Sequence, residues 1–248
     1  MTRANVISLL LVVILVSGCL SKNDRSDFTP VQVIQTALGT KDRLTPLDPI
    51  YFKKVGDSKL DNLIVLNPRV LLQKIIGFGC ALTEASSFVF STMNEDLKQR
   101  TLDLYWSPRG LNYTIGRMPM NSCDFALGTY SCDDTYYDYD LKEFSIKRDG
   151  LFKLPLAQRV VNTTKLHHGQ PLKLFLSPWS PPAWMKTNKN MEGSGKPIGL
   201  INNTLTLNSW ALYYSKYITE YGKQGVPFWG LTVQNEPGVY LLGFFLII

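Results

Sequence analysis

The chain has 248 residues, of which 45% are hydrophobic and 19% charged, with a net charge of +6. That composition excludes a disordered or fibrous chain and gives enough apolar residues for a core. The 26 Lys and Arg are scattered rather than clustered, and no zinc-finger or helix-turn-helix spacing is present, so nucleic acid is not an expected partner. Weak attraction to an acidic lipid surface is the remaining reading of the charge.

At the N-terminus, Arg3 precedes an almost wholly apolar run from Val6 to Val16, followed by Ser17, Gly18 and Cys19. This is the order of a secretory signal peptide, assigned to residues 1–20. The run is short for a membrane-spanning helix. Leu15-Val16-Ser17-Gly18-Cys19 also resembles a bacterial lipoprotein cleavage box, but three Asn-x-Ser/Thr sequons, at Asn112, Asn162 and Asn202, favour a eukaryotic secretory route. Asn112 is expected in a buried strand and is the weakest of the three. Removal of the signal leaves Cys80, Cys123 and Cys132, an odd set that forms no disulfide framework. Cys123 and Cys132 are close enough in sequence to bridge, with free buried thiols the alternative.

Residues 21–70 read as an irregular entry segment, polar and without periodicity as far as Pro49. From Leu60 strand and helix patterns alternate. Short apolar runs predict strands over Lys74–Phe78, Leu111–Met118, Leu172–Ser177 and Phe228–Val233. Helices are predicted over Glu95–Trp106, capped by Asn94 with Leu97, Leu104 and Tyr105 on one face, over Leu154–Leu166, and over Ser209–Tyr221. The last carries Trp210, Tyr213, Tyr214, Tyr217 and Tyr221 on one stripe, read as a helix–sheet contact. Alternation of this kind gives parallel strands with crossover helices, in an open sheet or a barrel. Gly77-Phe78-Gly79 lacks the third glycine of a dinucleotide fingerprint, and the run around Gly195-Lys196 lacks the first glycine and the hydroxyl residue of a phosphate loop. His167 and His168 are adjacent, read as exposed, and no residue set has metal-ligand spacing, so neither metal nor cofactor is expected.

Chemistry therefore falls to carboxylates and aromatics at strand ends, where α/β barrels carry their active sites. The successive strands deliver Thr83 and Glu84; Arg117, Asn121 and Asp124; Ser177 through Trp184; and Gln234-Asn235-Glu236-Pro237. Carboxylates, an amide and indoles form the set that glycoside hydrolysis uses. The blocks Gly77-Phe78-Gly79, Arg117 to Phe125, Ser177 to Asn188 and Thr232 to Pro237 closely resemble, in order and spacing, those of the glucosylceramidases, the lysosomal acid β-glucosidases.

The resemblance runs from about Asp61 to Gly238. It implies an incomplete TIM (β/α)8 barrel, about four of eight units over residues 71–238, preceded by a fragment of a β domain. It implies Glu236 as the general acid/base, with Asn235 and Trp179 contacting glucose and position 84 binding sugar hydroxyls. It also implies a retaining hydrolysis of glucosylceramide to glucose and ceramide, a secreted or lysosomal location, and an activator protein and acidic membrane as partners. A xylanase or β-1,6-glucanase of the same clan, or a non-catalytic carbohydrate- or lipid-binding remnant, are the rival readings.

Three departures stand out. Glu84 replaces an Asp, adding a methylene that crowds the sugar. Cys80 replaces a Gly, a change expected to disturb the backbone beside the site. Residues 239–248 are an apolar tail without family likeness. By resemblance the nucleophile lies on a later strand, so this chain alone is expected not to turn over.

Overall fold

In a computed structural model the structure describes residues 30–52, 64–193 and 199–236. The signal segment and the apolar tail lie outside the described residues. The chain divides into two compact units after Leu72.

In the first unit, β1 (Pro30–Gln35) and β2 (Thr45–Tyr51) pair antiparallel as a hairpin. The residue pattern makes most of this stretch irregular, whereas the resemblance implies a fragment of a β domain, and a small antiparallel sheet is what it forms. Val31 and Val33 do alternate along β1, but Pro46 and Pro49 argue against a strand, because proline cannot donate to a ladder. In a two-stranded hairpin each strand has a free edge, which accommodates both prolines.

The second unit is a four-stranded parallel sheet in the order β3-β4-β5-β6. Its strands are β3 (Gly79–Ala81), β4 (Ile115–Met120), β5 (Lys173–Pro178) and β6 (Gly230–Leu231). Helices α1 (Glu84–Thr92) and α2 (Glu95–Trp106) connect β3 to β4. A long loop, a 3-10 turn at Asp149–Leu151 and α3 (Lys153–His168) connect β4 to β5, and α4 (Thr204–Lys223) connects β5 to β6. Spatial order follows chain order, with a helix in every crossover, which is the winding of a barrel rather than of a doubly wound sheet. The unit is a partial (β/α) barrel.

The first barrel strand begins five residues later than its apolar run predicts. Ile75, Ile76 and Phe78 are exposed, and Gly79 makes the first pair, with Ile115. A Cβ at Gly79 would lie 1.6 Å from the Ile115 carbonyl oxygen, so pairing at this point requires glycine. Cys80 sits opposite Gly116 in unbroken register, so the backbone disturbance expected there does not occur.

Helix α2 keeps its expected bounds but turns Leu102 and Trp106 inward, while Leu97, Leu104 and Tyr105 are exposed. On α3, Leu156, Val160 and Val161 are buried as their spacing implies, and on α4 so are Trp210, Tyr213, Tyr217 and Tyr221. These rings and the aliphatic face of α3 join Met118, Met120, Leu174 and Leu176 in one core. Helix α3 ends at Gly169, whose φ of 69° supplies the left-handed cap. Asn112 is exposed, in the loop before β4 rather than in a buried strand, and takes a φ of 55°. Asn162 on α3 and Asn202 before α4 are exposed as well.

Candidate active site

Four chain segments leave the C-terminal ends of the parallel strands, and each carries part of the set singled out above. Register places Arg117 of β4 opposite Phe175 of β5, with its side chain on the face away from the helices. Its Nη2 donates to Ser177 Oγ at 3.0 Å and to Asn235 Oδ1 at 2.5 Å. The guanidinium carbon lies 5.6 Å from the centroid of the Trp179 ring. Burial pulls the Arg117 pKa down, and the nearby carboxylates of Glu236 and Asp124 oppose that pull. One arginine thus joins the ends of β4, β5 and β6 (sequence reading placed it at the site but gave it no partner).

Asn235 is held from a second direction, because its backbone N–H donates to the Pro178 carbonyl at 2.9 Å. Its neighbour Gln234 donates through Nε2 to Trp179 O at 3.0 Å. Thr232 donates to Ser177 Oγ at 2.7 Å, and Tyr214 of α4 donates to Val233 O at 2.5 Å. The segment that ends in Glu236 is therefore pinned residue by residue. Glu236 is exposed at its tip, with a φ of 49°. A bulky residue in the left-handed region is uncommon and is found where surrounding bonds over-determine the backbone.

Asn121, directly after β4, also has a positive φ, of 64°. Its Nδ2 donates to Ser180 O at 3.1 Å, and its Oδ1 accepts from Cys132 N and from the Tyr213 hydroxyl. It ties the loop carrying Trp179 to the loop after β4. Beneath it lies a buried network with no counterpart in the sequence reading. Asp149 and Lys153 form an ion pair at 2.9 Å with side-chain exposures of 0% and 1%. The Asp149 carboxylate accepts from the hydroxyls of Tyr130, Tyr217 and Tyr221. Lys153 donates to Pro119 O and Asn121 O. The only sequence signal for this pair is an Asp and a Lys four apart.

Glu84 lies at the end of β3, as the first residue of α1 behind the Thr83 cap. Its carboxylate is 3% exposed and faces Arg148 and the Leu127 amide rather than the Arg117 group. Cys80, Cys123 and Cys132 are free thiols, the last two buried, so the short bridge is not formed. His167 and His168 close α3 half-buried. Among the described residues no group of three His, Cys, Asp or Glu is placed to hold a metal.

An arginine-held Asn beside an exposed Glu, at the ends of parallel strands and next to an indole, contains the residue types that glycoside hydrolysis uses. Comparison with known proteins agrees. Residues 75–243 match the glycosyl hydrolase family 30 TIM-barrel domain. The chain belongs to this family. It is 35% identical over 176 residues to the lysosomal acid glucosylceramidase of Mus musculus, covering 71% of this chain and 33% of that one. It is 30% identical over 169 residues to an endo-1,6-beta-D-glucanase of Neurospora crassa, covering 66% and 34%. Among solved structures, SrfJ from Salmonella typhimurium superposes with a TM-score of 0.67 at 35% identity, covering 83% of this chain and 43% of that chain. The family 30 chain described here thus spans about a third of the length of the curated relatives it matches.

Proposed function

We propose that this family 30 chain carries the acid/base side of a retaining β-glucosidase site whose substrate is a glucosylceramide-type glycolipid. The observation that carries the reading is Asn235, locked by Arg117 and the Pro178 carbonyl, with Glu236 next to it at the strand end. A fixed Asn suits the sugar 2-hydroxyl, whose hydrogen bond strengthens in the transition state. Trp179 offers a flat face to the sugar ring, and Glu236 protonates the ceramide oxygen, then activates water. The reaction also needs a carboxylate nucleophile, which we assign to sequence outside the third of the relatives that this chain matches. We accordingly propose that residues 21–248 alone do not turn over.

The mouse relative supports the glucosylceramide reading and a lysosomal or secreted location. With it come three further proposals: an acidic membrane surface and an activator protein as partners, and glycans on Asn112, Asn162 and Asn202. No helix among the described residues is long and apolar enough to cross a membrane. The Neurospora relative supports a second reading, a β-1,6-glucan substrate.

The test uses the complete gene product. Glu236→Gln should lower turnover of glucosylceramide by about 10²–10⁴-fold, and much less for an aryl glucoside whose leaving group needs no proton. Equal losses on both substrates would remove Glu236 from the acid role. Faster cleavage of a β-1,6-glucan than of the lipid would select the second reading.

A further inference from the structure

The resemblance gives position 84 to the sugar, yet both Glu84 oxygens already have partners. Oε2 accepts from the Leu127 amide at 2.7 Å and from Arg148 Nη2 at 3.4 Å, and Oε1 accepts from Arg148 Nε at 3.1 Å. The next residue of α1, Ala85, donates its amide to Phe125 O at 2.9 Å. The first turn of α1 is thereby fastened to the loop that follows β4. The other end of the fastening is fixed too. The Arg148 guanidinium carbon lies 4.5 Å from the centroid of the Tyr130 ring, and the Tyr130 hydroxyl donates to Asp149 at 2.7 Å.

A forked guanidinium–carboxylate pair is among the stronger polar contacts in proteins. The carboxylate here is 3% exposed and the Arg148 side chain 42%. With the carboxylate so deeply covered, a neutral sugar hydroxyl could reach Glu84 only if Arg148 moved aside, leaving a buried carboxylate without its cation. An aspartate would be one methylene too short to keep the Leu127 amide and the fork together, which gives the longer residue a reason to be here.

We infer that Glu84 is a positioning residue in this chain: with Arg148 it latches the 125–130 loop to α1, and position 84 is withdrawn from the sugar subsite. The latch stands on its own geometry. Only its consequence for sugar binding rests on the proposed glycoside site.

Two measurements on the purified chain separate the latch from that site. The first is amide hydrogen exchange at Leu127 in Glu84→Gln, Arg148→Met and the double variant. Each single change should speed exchange at Leu127 at least tenfold while Met118 and Leu176 stay protected, and the double should be no faster than the worse single. Arg148→Lys keeps the charge but loses the fork, and should recover only part of the protection, so it reads the latch if Glu84→Gln fails to fold. The second is titration with deoxynojirimycin, followed by tryptophan fluorescence. Glu84→Gln should change the affinity less than about twofold. Unchanged Leu127 exchange in the variants overturns the latch, and a tenfold loss of affinity in Glu84→Gln overturns the withdrawal of position 84 from the sugar. If the unaltered chain shows no saturable binding, the glycoside reading fails and the exchange result alone decides the latch.

Discussion

On the helix side of the four-stranded sheet, Met118, Met120, Leu174 and Leu176 have no exposed surface. On the other side, Arg117, Lys173 and Phe175 are half-buried. The two sets alternate along the same strands, because successive side chains point to opposite faces. The helix side holds the fold and admits charge only where every atom of it is bonded. The other side has a less packed surface, and its upper end holds the guanidinium, amide and carboxylate assigned to chemistry.

The sharpest way to break this comparison is to unbalance the buried Asp149–Lys153 ion pair on the helix side. Lys153→Met leaves Asp149 with its tyrosines but no cation. The expected loss is about 3–5 kcal/mol, read from the denaturation midpoint. A loss below about 1 kcal/mol would mean that the tyrosine hydroxyls alone sustain the carboxylate.

Neighbouring residues on β5 give the next test. Leu176→Ala should cost about 2–5 kcal/mol, as for large-to-small changes in a packed core. Phe175→Ala, on the opposite face, should cost less than half as much although it removes more atoms. Equal losses would show that the second face is as well packed as the first.

Much of the helix side was legible because it rests on periodicity. The aromatic spacing on α4 and the aliphatic spacing on α3 identified their buried faces. The bounds were less so: α4 starts at Thr204, five residues before its first predicted position, because Asn203 caps it with its side chain. Helix α1 was missed altogether. Its Ser, Thr, Phe and Val are indifferent helix formers, and only the reciprocal bonds of Thr83 and Ser86 mark its start. At the site, the pattern showed which residues reach the strand ends but not how they are bonded. Arg117 with Asn235, and Glu84 with Arg148, are 118 and 64 residues apart in sequence, and no local pattern encodes such a pairing.

Arg117→Met probes the other face. The change removes a charged hydrogen bond to Asn235, typically about 1.5–3 kcal/mol, and should appear mainly as a loss of roughly tenfold or more in iminosugar affinity. A large fall in stability with unchanged affinity would make Arg117 a structural residue.

The smallest expected effect is a pH dependence in the loop after β4. Asp133 is 3% exposed. Burial, with the charge of Asp138 adding to it, raises its pKa from 3.8 to about 6. The folded state then holds the proton more tightly than the unfolded one, so stability falls as pH rises from about 3.8 to about 6. Exposed Asp138, lowered mainly by its bond from the Glu143 amide, acts in the opposite sense, losing its contribution below that range. Asp133→Asn keeps an acceptor for the Thr135 amide. It should raise stability at pH 7 and leave it unchanged at pH 3.5. A gain of the same size at both pH values would show that charge is not the cause.

The central claim is that the Arg117–Asn235–Glu236 end of the sheet, beside Trp179, is a β-glucoside site. The most direct measurement is a nuclear magnetic resonance titration of the chain with deoxynojirimycin, observing the tryptophan indoles and the backbone amides together. The account predicts saturable shifts at the Trp179 indole and the Asn235 amide, both abolished by Asn235→Ala, with the resonances of Thr114, His168 and Lys173 at the opposite end unmoved. Shifts centred on His168 and Lys173, or shifts that survive Asn235→Ala, would contradict it.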